Sequence, residues 1–141
     1  MTLRSFTVND LIKEIGVAAL PGEKLTVMGG DTVRVHLGVE YRGPAIDGAV
    51  WVAIGRQNLG FAEDFVSGRI PVHFDASFDF VPYEITADIP IWDRPGTNYD
   101  IYAKIMEIPG PDIFTGILLN VIDVISAAEF RNFQITSYDK V

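Results

Sequence analysis

Between Pro95 and Ile108 the chain reads Pro-Gly-Thr-Asn-Tyr-Asp-Ile-Tyr-Ala-Lys-Ile-Met-Glu-Ile, and this run constrains the fold more than any other. Tyr99, Ile101, Ala103 and Ile105 alternate with Asp100, Tyr102, Lys104 and Met106. Successive side chains of an extended backbone point to opposite faces, so a strict period of two sorts these residues into an apolar face and a mixed one. The run predicts a central strand of an antiparallel sheet, entered through a Pro-Gly turn.

The same alternation recurs along the chain. Lys24 to Met28 predicts a short strand, closed by a tight turn at Gly29-Gly30-Asp31. From Thr32 to Tyr41, Val33, Val35, Leu37, Val39 and Tyr41 oppose Arg34, His36, Gly38 and Glu40, as in a half-buried strand. Gly48 to Gly55 is apolar throughout and predicts a strand covered on both sides, with Trp51 as core anchor because an indole buries a large area. Arg56 to Val66 reads as irregular, with Phe61 and Phe65 spaced as on one helical turn. Ile70 to Phe80 predicts a single strand carrying Val72, Phe74, Ala76, Phe78 and Phe80 on one face. Tyr83 to Trp92 groups Ile85, Ala87, Ile89 and Ile91, and Pro90 marks an edge or a strand end, since proline donates nothing to a ladder. Pro109-Gly110-Pro111-Asp112 predicts a stiff loop, and Leu118 to Ile125 another strand. Ser126 to Glu129 fits either a capping box over one helical turn or a connector, and Phe130 to Ser137 predicts the last strand. Near the start, Phe6 and Val8 fit an extended segment, while Val8, Leu11, Ile12 and Ile15 fit a short helix equally well.

A tyrosine opening a strand, two residues before an inward aliphatic, resembles the tyrosine corner of Greek-key β-sandwiches. Leu25-Thr-Val-Met-Gly-Gly-Asp-Thr-Val-Arg-Val35, then Tyr41-Arg-Gly43, then Tyr99 to Ile105, looks like an immunoglobulin- or fibronectin-III-like module over residues 24–108. The paired cysteines of antibody domains are missing, and the region after Pro109 is longer than such a module needs. The resemblance implies an all-β, antiparallel Greek-key β-sandwich of about 7–9 strands. At 141 residues the chain is long enough for one such domain, with an N-terminal arm over residues 1–20 and a terminal strand over 130–141. A fold resemblance implies no activity.

Charge and composition narrow the partners. The chain carries 19 acidic against 11 basic residues, a formal net charge of −8, without a basic cluster. Nucleic-acid affinity rests largely on Lys and Arg neutralising phosphates, so neither nucleic acid nor an anionic membrane is an expected partner. There are no cysteines, which excludes disulfides and thiolate metal sites. Residues 1–9 lack the apolar core of a secretory signal, and the apolar run from Ile113 to Ile125 is interrupted and too short to span a bilayer. The expectation is a soluble chain made in the cytoplasm.

No catalytic constellation is visible. Asp75 and Asp79, or His73 and Asp75, share a strand face, but carboxylates of a glycosidase must converge across a cleft. His36 and His73 fall on outward faces of different strands. The loop acids Glu63, Asp64, Asp93 and Asp112 lack the dense spacing of a calcium loop, which leaves only a site assembled from separate loops. No cofactor or metal is expected. Trp92, Tyr83 and Tyr102 are candidates for an exposed ring platform that would stack on sugars.

One further pattern concerns the two ends. Arg4-Ser-Phe6-Thr-Val8-Asn-Asp-Leu11-Ile-Lys13 resembles Arg131-Asn-Phe133-Gln-Ile135-Thr-Ser-Tyr138-Asp-Lys140 at matching offsets. Two edge strands drawn from one small alphabet would look like this, and so would a terminal strand that pairs with a neighbour. With no reactive centre, the expectation is a non-enzymatic structural protein acting through protein–protein contacts and possible homo-oligomerisation. A virion component, decorating a capsid or associated with a tail, fits a chain without export signal or cysteines. An adhesion or carbohydrate-binding module of a larger cell-surface protein is the alternative. The residues expected at the interface are Pro109, Pro111, Ile113 and Phe114 of the stiff loop, and Phe130, Phe133, Ile135 and Tyr138 of the terminal segment.

Overall fold

The computed structural model describes residues 2–5, 11–13, 18–19, 23–57 and 60–141. Its regular structure is all strand: β1 (Thr2–Ser5), β2 (Leu11–Lys13), β3 (Ala18–Ala19), β4 (Leu25–Met28), β5 (Thr32–Gly43), β6 (Ile46–Gln57), β7 (Phe61–Val66), β8 (Ile70–Phe74), β9 (Ser77–Pro90), β10 (Gly96–Met106), β11 (Ile113–Phe114) and β12 (Leu118–Ile125). Two sheets result. In sheet I, β5 is flanked by β9 along its whole length and, on its other side, by β1 and β2, with β3 beyond β2. Sheet II runs β4-β12-β10-β6-β7, with β8 beside β6 and β11 beside β10. Every described pairing is antiparallel except that of β12 with β4.

The alternation is realised where both neighbours of a strand are in place. Val33, Val35, Leu37, Val39 and Tyr41 of β5 are all buried, facing Tyr99, Ile101, Ala103 and Ile105 of β10 in one shared core. Those four sit on a strand held by β6 on one side and by β12 and β11 on the other, as a central strand requires. Val50, Val52 and Ile54 of β6 enter the same core while Ala49 and Ala53 are buried on the opposite face, which explains the uninterrupted apolar run. The Pro-Gly entry to β10 is fixed by close packing. A Cβ at Gly96 would strike the Arg56 guanidinium and lie 2.9 Å from the Tyr99 hydroxyl.

Several expectations are corrected. Trp51 is only half-buried and lies on the outer face of sheet II, where its Nε1 donates to Glu63 at 3.1 Å; the largest fully buried side chains are Tyr99, Phe65 and Phe74. Period two puts Trp51 opposite Val50 and Val52, so the strand that buries them turns the indole outward. Residues 61–66 form β7 rather than an irregular turn. Phe65 pairs with Ile54 and Glu63 with Gly55, so Asp64 is an extra residue in the ladder. That bulge lets Phe65 enter the core while Phe61, four residues earlier, packs on Tyr102 outside it. The run from Ile70 to Phe80 is two strands in different sheets, β8 beside β6 and β9 beside β5. Phe74 is therefore 0% exposed and Phe78, on the same expected face, is 100% exposed.

At the termini, Leu11–Lys13 is strand β2, in favour of the extended reading there, while Phe6, Val8 and Ile15 lie outside the described residues. Ser126 to Glu129 is a connector, in which the Ser126 hydroxyl accepts from the Ala128 amide at 3.1 Å. The segment from Phe130 to Ser137 is not a strand: it joins no ladder among the described residues.

Candidate functional site

The registers define two ends of the body. Gly96 lies opposite Val124 and Met106 lies opposite Ala49, so the start of β10 and the end of β12 share one end. The β5–β6 turn and the loop after β10 share the other. Of the expected interface residues, Pro109, Pro111, Ile113 and Phe114 belong to the second end, whereas Phe130, Phe133, Ile135 and Tyr138 follow β12, which finishes at the first.

At the loop end, Pro109 and Pro111 are exposed and line a hollow of about 340 Å³ together with Tyr41, Arg42, Pro44, Ile46, Ile108 and Ile113. Ile113 pairs with Ile105 and packs against the core, so it also helps to close the body. Phe114 is more than half exposed and stacks on Tyr102 with ring centroids 6.3 Å apart. Pro44 also borders a second hollow of about 420 Å³ with Gly43, Ala76, Ser77 and Phe78. Phe78 was hidden from sequence reasoning because its alternation was assigned to the strand that ends at Phe74. Its neighbour Phe80 is 43% exposed beneath the Arg42 guanidinium, 4.5 Å from the ring centroid.

In the segment that follows β12, Phe130, Phe133, Ile135 and Tyr138 are between 85% and 101% exposed. Single exposed apolar residues are ordinary on protein surfaces, whereas these four fall within nine residues that join no ladder among the described residues.

The acids and rings do not converge. Glu63 accepts from both Trp51 and the Tyr102 hydroxyl, the latter at 2.6 Å. Burial foremost, and then this bond to a carboxylate, pushes the Tyr102 phenol well above its ordinary range. Glu63 and Asp64 lie in strand β7 rather than in a loop. Asp64 pairs with Arg94 at 3.0 Å, whereas Asp112 lies in the loop at the far end, so the four acids do not gather around one cation. Among the described residues no group of three or more ligating side chains has the geometry to hold a metal ion. Trp92 donates to the Asp64 carbonyl at 3.0 Å, Tyr83 packs edge-on against Phe74, and Tyr102 stands on the outer face of sheet II. These three rings occupy separate places and build no common platform.

His73 at the loop end stands between two carboxylates. Its Nδ1 is 2.7 Å from Asp47 and its Nε2 is 3.3 Å from Asp75. The hydrogen bond with Asp47, followed by the charges of both carboxylates, raises its pKa above the ordinary histidine value. Asp79 is apart from this group, on β9, where its carbonyl accepts from Ser77 at 2.8 Å. His36 is half-buried on β5, with no hydrogen-bond partner for Nε2 among the described residues.

Sequence reasoning missed one polar feature altogether. Asp100 is buried on β10, accepting from the Asn120 amide at 2.8 Å and the Gln57 amide at 3.4 Å, so one carboxylate ties β6 and β12 across the central strand. An aspartate on the polar side of an alternating strand gives no local sign of such a role. No protein-family model matches this chain, and no curated protein is significantly similar to it.

Proposed function

We propose that this chain is a non-enzymatic structural subunit that works through protein–protein contacts, with residues 126–141 as the contact element. The observation that carries the reading is the exposure of Phe130, Phe133, Ile135 and Tyr138 beside a body that is itself closed around one core. Leaving such a segment in water forgoes roughly 25 cal/mol for each Å² of apolar surface a partner would cover.

The body is read as a Greek-key sandwich of the immunoglobulin class. In support, a β4-β12-β10-β6-β7 sheet with parallel β4 and β12 packs on β5 and β9. The Tyr99 hydroxyl also donates to the Arg94 carbonyl at 2.9 Å, five residues upstream, which is the bond that defines a tyrosine corner.

For the setting, we favour a virion component, a capsid-decorating or tail-associated subunit. An acidic chain of net charge −8 suits an outer position, away from packaged nucleic acid. The test is whether the chain self-associates in sedimentation velocity or co-sediments with assembled particles from its own source. Failure of both overturns the reading.

A further inference from the structure

Resting on that reading, we propose that the C-terminal segment of one copy seats in the paired hollows around Pro44 of a second copy, so that the chain assembles head to tail. The donor segment leaves the body at the end opposite the acceptor. The chain leaves β12 at Ile125, beside Met28 and close to Val124 opposite Gly96, whereas the hollows open where β5 meets β6 and where the loop follows Met106. Two different surfaces meeting in this way make a heterologous contact, which closes into a ring or extends as a filament according to the rotation between copies.

Chemistry matches the two ends. The acceptor offers Pro44, Ile108, Pro111 and the fully exposed Phe78; the donor offers Phe130, Phe133 and Ile135, equally without cover. Charge agrees. Residues 126–141 hold two acids (Glu129, Asp139) and two bases (Arg131, Lys140), so this segment is formally neutral in a chain of net charge −8. It approaches a second acidic copy without the repulsion that body against body would meet.

Length favours the second copy over the segment's own body. The 11 residues of β10 span about 35 Å, so reaching the hollows of its own body would use about ten residues of the segment. Phe130, Phe133 and Ile135 would then be spent along the way instead of reaching the hollows. Stacked end to end, a neighbour presents its hollows to the whole segment.

Sedimentation velocity on the full chain, a chain ending at residue 129, and the double variant Phe78→Asp with Pro111→Asp tests this. Both altered surfaces are exposed, so the variants keep the body intact, which circular dichroism checks. The full chain is expected to grow in mass with concentration, and each variant alone to stay monomeric. Mixed, they should form a one-to-one dimer, because one retains the hollows and the other the segment. Phe133→Asp in the full chain should weaken association at least about tenfold, as loss of an anchoring aromatic does. Assembly of the shortened chain, assembly of the double variant, or a monomeric mixture would each overturn the proposal. A full chain that is monomeric throughout also overturns it, while the broader structural reading then stands or falls on co-sedimentation with particles.

Discussion

β10 and the segment from Phe130 to Tyr138 are built from similar material and meet opposite fates. Each alternates large apolar residues with polar ones: Tyr99, Ile101 and Ile105 in the strand, Phe133 and Ile135 in the segment. The strand residues are buried, whereas the terminal ones stand almost wholly in water. Their neighbours make the difference. β10 has a ladder on both edges and sheet I across the core, whereas residues 126–141 have no ladder among the described residues. Alternation reports a capacity to lie in a sheet, and a partner strand has to realise it.

Ile101→Ala would break the strand side of this pair most strongly. It empties a fully buried site between two packed sheets and should cost about 2–5 kcal/mol, read from urea unfolding. Next comes Tyr99→Phe, which keeps the ring against Phe65 and removes only the bond to the Arg94 carbonyl. A loss of about 1–2 kcal/mol is expected, and an unchanged midpoint would remove this bond from the account of why β10 is anchored.

The pH dependence of the loop end is smaller. His73 has a raised pKa in the folded chain, so its contribution is complete below the ordinary histidine value and is lost as pH rises through the raised one. An NMR titration should place His73 above an unperturbed histidine, and Asp47→Asn should bring it down. The smallest effect belongs to Ile135→Ala, which should change monomer stability by no more than about 0.5 kcal/mol. A larger loss would mean that the segment already packs on its own body, erasing its contrast with β10.

Phe74 and Phe78 show where local reading fails. They are four residues apart in one alternating run, yet the chain passes from sheet II to sheet I between β8 and β9, so one is sealed and the other bare. Nothing in the alternation marks a change of sheet. Phe65 shows the same limit from the other side, because the extra residue at Asp64 reverses the face and only the pairing with β6 reveals it. The candidate contact residues were legible as apolar positions in loops and at the terminus. That the chain enters the terminal segment at the end opposite the Pro109 loop was not, because it depends on strand direction across the whole body.

The sequence by itself determined the strand character of β5, β6, β10 and β12, the inward sets on β5 and β10, and the Pro-Gly entry that needs Gly96. These follow from backbone pleating and from the steric properties of individual residues, which neighbours in the chain already express. Only the tertiary structure decided that Trp51 faces outward, that Asp100 ties three strands, and that Phe78 and Phe133 stand uncovered. The physical reason is that burial and hydrogen-bond partnership belong to pairs of segments remote in sequence. A residue's own type states what it needs, while the fold determines whether the body meets that need or leaves it to a partner.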